Sequence, residues 1–112
     1  MTKKGQLEEL LTHELVHAYD HCRVDIDWTN CEHHACSEIR AAALSGDCRL
    51  GNELSRGNIG FFGQHRRCVE RRAMLSLQAN PNCSNKEEAQ KVMDKVFDKC
   101  YADTSPFSRT PY

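Results

Sequence analysis

The chain has 112 residues, enough for one domain, and its 15 basic and 16 acidic side chains leave a net charge of −1 with histidines neutral. That balance excludes the electrostatic footprint of a nucleic-acid or membrane-surface binder. No apolar run reaches the length of a membrane span, and the opening Met1-Thr2-Lys3-Lys4-Gly5 reads as neither a signal nor a transit peptide.

The first predicted helix runs from about Gln6 to Cys22 and contains His13-Glu14-Leu15-Val16-His17, an HExxH. Residues four apart on a helix share one face, so the two imidazoles can grip one metal ion. Glu14 then leans toward a water on that ion. Leu7, Leu11, Leu15, Ala18 and Cys22 form a stripe roughly opposite the histidines. The stripe is expected to enter the core and turn the histidines outward. Arg23 to Cys31 has no helical period and reads as a loop in which Trp28 packs.

A second helix is predicted from about Glu32 to Ser45, rich in alanine and stopped by Gly46. Arg49 to Gln64, with four glycines, reads as an irregular connection anchored by Phe61 and Phe62. The third helix, about His65 to Ala79, repeats Val69, Ala73 and Leu77 and ends at Asn80-Pro81. Its arginines at 66, 67, 71 and 72 surround Glu70 and read as a solvated face. Ser84-Asn85-Lys86-Glu87 is a capping box opening a fourth helix. In that helix Val92, Val96, Cys100 and Met93, Phe97, Tyr101 form two adjacent apolar rows. Residues 104–112, with two prolines, are expected to form an extended tail, and no internal repeat is visible.

Two histidines do not complete a zinc site. The metzincin extension needs glycine and histidine where this chain has Asp20 and Arg23, which excludes that subclass. Asp20 and His21, one turn beyond His17, remain candidates for the third ligand. Glu38 on the second helix is preferred, because the thermolysin-type set is two histidines and a glutamate from a second helix. As an ordinary helix carboxylate, Glu38 would pair with Arg40 or His34 instead. Asp20 then serves as an acceptor for a histidine's outer N–H, and His33 and His34 are expected at the surface. Such a site lowers the pKa of water to about 7, with Glu14 as the base that removes its proton and later protonates the leaving amine. For the oxyanion, Tyr19 and His65 are candidates that no spacing selects.

Seven cysteines are many for this length, and no pair is CxxC, which argues against a zinc ribbon or a thioredoxin-type site. A disulfide framework in an oxidising compartment fits the scatter, with one thiol left over. Cys100, on a helical stripe, also fits a simple buried hydrophobe.

Three stretches in this order, Thr12–Cys22 (THELVHAYDHC), His33–Ala41 (HHACSEIRA) and Leu44–Cys48 (LSGDC), together with the Phe97–Pro111 tail, carry a resemblance across nearly the whole chain. The chain resembles the mitochondrial inner-membrane metalloproteases that assist ATP-synthase assembly, a family described in animals as Ku-binding. The resemblance implies a single, mainly α, zincin-like domain over residues 1–112, with His13 and His17 binding Zn²⁺ and Glu14 as catalytic acid/base. It implies a cysteine-rich protein of the intermembrane space, peripheral to the inner membrane. The implied partner is a hydrophobic membrane-protein precursor, a subunit of the synthase, with no nucleic acid. Zincin proteases carry a twisted sheet before the HExxH helix, whose edge strand binds substrate. Twelve residues precede His13, so the chain is expected to be the C-terminal portion of such a protein, the sheet missing. The competing expectation is a non-catalytic assembly chaperone with an idle metal site. A nuclear DNA-repair adaptor rests on the Ku association alone and finds no support in the charge.

Overall fold

A computed structural model describes residues 3–49 and 63–108. Phe61 and Phe62, most of the Gly-rich connection and the last four residues lie outside them. Among the described residues there are four α-helices and no strand, so the chain is mainly α. They are α1 (Lys3–Val24), α2 (Cys31–Leu44), α3 (Gln64–Gln78) and α4 (Lys86–Ala102), with a single 3-10 turn at Pro81–Cys83.

α2 is the hub, packed against α1 on one side and against α3 and α4 on the other. The Asn30 side chain starts it by accepting from the N–H groups of Glu32 and His33, and Gly46, at φ 92°, follows its last turn. From Ser37 to Leu44 every residue is buried. Ala41, Ala42 and Ala43 explain how this is possible, since small side chains let neighbouring helices close in from several directions. Ile39 and Leu44 meet Val69, Ala73 and Leu77 of α3 and Met93 and Phe97 of α4 in one apolar cluster. Burying each large member stabilises the fold by about 1.5–3 kcal/mol. Of the two apolar rows expected on α4, Met93, Phe97 and Cys100 are buried, while Val92, Val96 and Tyr101 pack at the margin. The cap of α4 is Asn85 rather than Ser84, accepting from the N–H groups of Glu87 and Glu88, so this helix begins one residue later than predicted.

Three disulfides pin these elements. Cys31–Cys83 ties the start of α2 to the 3-10 turn, Cys36–Cys100 ties α2 to α4, and Cys48–Cys68 ties the segment after α2 to α3. Sequence separations of 52, 64 and 20 residues place each near 3–4.5 kcal/mol in the chain-entropy account. Cys100 is therefore bridged rather than a free buried hydrophobe, and Cys22 is the exposed free thiol.

The expected orientation of α1 is reversed. Leu7, Leu11 and Leu15 are exposed, Leu15 by 66 %. Ala18 and Cys22 are exposed too. The opposite face goes inward, carrying Glu9, Val16 and Asp20, with His13 and His17 at its edge. Polar partners on the rest of the chain decide this. Arg49 reaches Glu9 at 2.7 Å, and Arg40, 1 % exposed, binds Asp20, 2 % exposed, at 2.8 Å. A buried charge is tolerated only when it is paired and hydrogen-bonded, and both conditions hold here. Arg40 also donates to the backbone carbonyls of Asp103 and Ser105, which secures the start of the tail.

Candidate metal centre

On α1, His13 and His17 stand one turn apart, and their Nε2 atoms lie 3.2 Å from each other. Glu38 reaches them from α2, with Oε1 3.3 Å from His17 Nε2 and Oε2 3.7 Å from His13 Nε2. One donor atom from each of the three residues lies within 4.8 Å of the others. Ligands bound tetrahedrally at ~2.0–2.1 Å from one ion stand roughly 3.3–3.4 Å apart. The two Nε2 atoms stand close to that spacing and a Glu38 oxygen lies within 4.8 Å of both, so the donor set suits a metal ion in its chemistry and needs only a small adjustment in spacing.

The hydrogen bonds behind the rings assign their protons. Ser37 Oγ donates to Asp20 Oδ2 at 2.9 Å, so it has only a lone pair to offer His17 Nδ1, 2.8 Å away. His17 accordingly carries its proton on Nδ1 and turns the Nε2 lone pair to the cluster. Asp20 is held in turn by Arg40 Nε at 2.9 Å. Asp20 thus acts as the outer acceptor anticipated from sequence, but through Ser37, which sequence reasoning missed. For His13 the same task falls to Asp47, whose Oδ2 is 3.5 Å from Nδ1. Arg72 Nε lies 3.7 Å from that carboxylate oxygen.

The electrostatics match a cation site. Burial would raise the pKa of Glu38, but the close approach of His17 and His34 and the nearby histidine charges outweigh it and hold the carboxyl well below its usual range. His13 is shifted up from 6.5, chiefly by its hydrogen bond to Asp47, against the opposing effect of burial and with help from the Glu38 charge.

Glu14 is exposed beside this cluster, and with His13, Glu9, Leu10, Asp47 and Arg72 it lines an open depression of about 260 Å³. A smaller cavity of about 100 Å³ adjoins it, with His13, Glu38, Asp47 and Arg72 in its walls. Glu14 and a potential metal ligand therefore face one open space.

Other sequence expectations change. Tyr19 lies under the guanidinium groups of Arg23 and Arg40, and His65 bonds Tyr101 Oη at 2.7 Å, so neither belongs to the cluster. His21 is exposed and also outside it. His33 is exposed as expected. His34 is not: its Nε2 lies 3.3 Å from Glu38 Oε1. Trp28 does more than pack a loop, standing edge-on to the rings of His17 and His34 at 5.6 Å each.

The sequence profile described as the peptidase M76 family matches residues 1–108. Over 107 residues the chain is 57 % identical to a protein of Meyerozyma guilliermondii named mitochondrial inner membrane protease ATP23, covering 95 % of this chain and 44 % of that one. A protein of the same name from Mycosarcoma maydis is 54 % identical, with 93 % and 48 % covered, and one from Candida albicans is 50 % identical, with 95 % and 45 % covered. The chain thus spans a little under half the length of these relatives. No solved structure matches it. No helix among the described residues is long and apolar enough to cross a membrane. A profile match over nearly every residue, with relatives above half identity, establishes that the chain belongs to the peptidase M76 family.

Proposed function

We propose that the chain is a single zincin-like domain of a zinc-dependent metalloendopeptidase, with His13, His17 and Glu38 as the metal ligands and Glu14 as the general base and acid. The observation that carries this reading is the convergence of two imidazole Nε2 atoms and a carboxylate at ligand spacing, the histidine protons being held on the far side by Ser37 and Asp47. When bound, the ion supplies polarisation of the scissile carbonyl and acidification of water to a pKa of about 7. Glu14 takes the proton of the attacking water and returns it to the leaving amine. Ser37, Asp20 and Arg40 keep His17 in the tautomer that serves as a ligand.

The relatives' names place them as proteases of the mitochondrial inner membrane. By extension, the substrate is a hydrophobic membrane-protein precursor, an ATP-synthase subunit, met from the intermembrane space by peripheral association. Three disulfides favour such an oxidising space. The exposed leucines of α1 support a second, non-catalytic reading, an assembly chaperone that offers an apolar surface and leaves its metal site idle.

The test is Glu14→Gln. The peptidase reading expects one zinc per chain in both proteins, and cleavage of a precursor peptide by the wild type alone. Undiminished cleavage by Glu14→Gln would refute the mechanism. Assembly of the partner complex that persists in this variant would favour the chaperone role.

A further inference from the structure

We infer that His34 is a positioning residue: it holds Glu38 with a hydrogen bond from Nε2–H, in the opposite tautomer to the two histidines that face the metal. The inference rests on the metal reading above and concerns how that site is kept in shape.

His34 stands one helical turn before Glu38 on α2, which brings its Nε2 to 3.3 Å from Glu38 Oε1. Its other nitrogen meets Asn80, 46 residues away in sequence, with Nδ1 3.0 Å from Asn80 Nδ2. The orientation of the Asn80 amide is not free. Its Oδ1 accepts from the backbone N–H of Asn82 at 2.9 Å and from Asn82 Nδ2 at 3.1 Å. Its NH₂ group therefore points the other way, donating one hydrogen to Trp28 O at 2.8 Å and the second to His34. His34 Nδ1 must accept, so the single proton of the neutral ring lies on Nε2, facing the carboxylate. A nitrogen carrying a proton has no lone pair for a metal, so His34 is a donor to Glu38 and not a fourth ligand.

The surroundings hold this arrangement. Cys31, three residues before His34, is bonded to Cys83, three residues after Asn80. The disulfide therefore presses the Asn80 turn against the first turn of α2. Trp28 closes the side, its ring edge-on to both His34 and His17. Glu38 ends up gripped between ligand histidines on α1 and a donor histidine on its own helix. Losing the outer hydrogen bond to a ligating group typically weakens metal binding 10–100-fold.

The experiment is a zinc-affinity measurement by chelator competition on the 112-residue chain and on His34→Ala, His34→Gln and Asn80→Asp. Long-range ¹H–¹⁵N spectra of the histidine rings and metal-free melting curves accompany it. His34→Ala is expected to bind zinc roughly 10–100-fold more weakly with little change in the metal-free melt. His34→Gln, which keeps an N–H donor at similar reach, recovers most of that loss. Asn80→Asp keeps the cap of the 3-10 turn but faces Nδ1 with an acceptor. It adds a proton at Nδ1 in the spectra while Nε2, facing Glu38, keeps its own, so zinc binding falls far less than in His34→Ala. Wild-type affinity in His34→Ala, or a wild-type His34 protonated on Nδ1, overturns the inference while leaving the metal reading intact. A wild-type chain that binds no zinc overturns both, and the ring spectra then report the Asn80–His34 wiring by itself.

Discussion

The two sides of α2 are built on opposite principles. Toward α3 and α4 it presents Ile39, Ala43 and Leu44 to an apolar cluster crossed by disulfides. Toward α1 it presents Ser37, Glu38 and Arg40, buried polar groups that each need a partner. The apolar side stabilises without demanding direction. The polar side contributes little net stability, because desolvation offsets most of the attraction in a buried ion pair. It contributes orientation instead, since each hydrogen bond fixes where a proton sits. Stability and chemistry are thus assigned to different faces of one helix, and perturbations should separate them.

The largest separation should come from reducing the three disulfides. Each contributes about 3–4.5 kcal/mol in the chain-entropy account, against about 5–15 kcal/mol for a whole domain. Reduction is expected to abolish the cooperative melt seen by circular dichroism; an unchanged melting temperature would show that the apolar side stands without its bridges.

Arg40→Met comes next. It takes from buried Asp20 its close ion-pair partner, leaving Ser37 and the more distant Arg23, 3.6 Å away, and frees the carbonyls of Asp103 and Ser105, for an expected loss of up to about 3–5 kcal/mol in denaturant unfolding. Pairing it with Asp20→Leu should recover much of that stability but not the zinc affinity, because Ser37 then has no acceptor to direct its proton. Recovery of both would show that the network does not orient His17.

Ser37→Ala should cost less stability, about 1–3 kcal/mol, because His17 Nδ1 loses its acceptor while Asp20 Oδ2 keeps Arg40 Nε at 3.2 Å. Its zinc affinity should nevertheless fall roughly 10–100-fold. A chelator competition showing full affinity would break the link from Asp20 to His17.

The smallest effect is on pH. The folded pKa of His13 lies above its ordinary 6.5, so the stability it adds to the metal-free chain is fully present below that value. This stability is lost as pH rises through the raised pKa, while zinc affinity climbs over the same window as the competing proton leaves. Asp47→Asn should move that window down toward pH 6.5, as read by titrating the His13 ring in NMR spectra.

What could be read from the residues alone follows the range of the interactions involved. The i, i+4 spacing places His13 and His17 on one face without help from the rest of the chain. Helix periodicity and caps located the helices to within a few residues, as with Gly46 after α2. A helical wheel shows that α1 has two faces but not which one finds a partner. The leucine stripe therefore pointed the wrong way, and the paired charges of Glu9 and Asp20 took the inside. The wiring of His34 depends on Asn80, 46 residues on, and on one pairing among seven cysteines. Neither leaves a local signal. The nearest clue was His34 itself, four residues before Glu38 on a predicted helix.

The central claim is that the polar side of α2 and the inner edge of α1 together hold a metal ion. Anomalous diffraction at the zinc edge from crystals of the zinc-loaded chain tests it most directly. The account predicts one ion, bonded at about 2.0–2.2 Å to Nε2 of His13, Nε2 of His17 and one oxygen of Glu38, with His34 outside the coordination sphere. An ion bound through Nδ1 of either histidine, or a Glu38 turned away from it, would contradict the account.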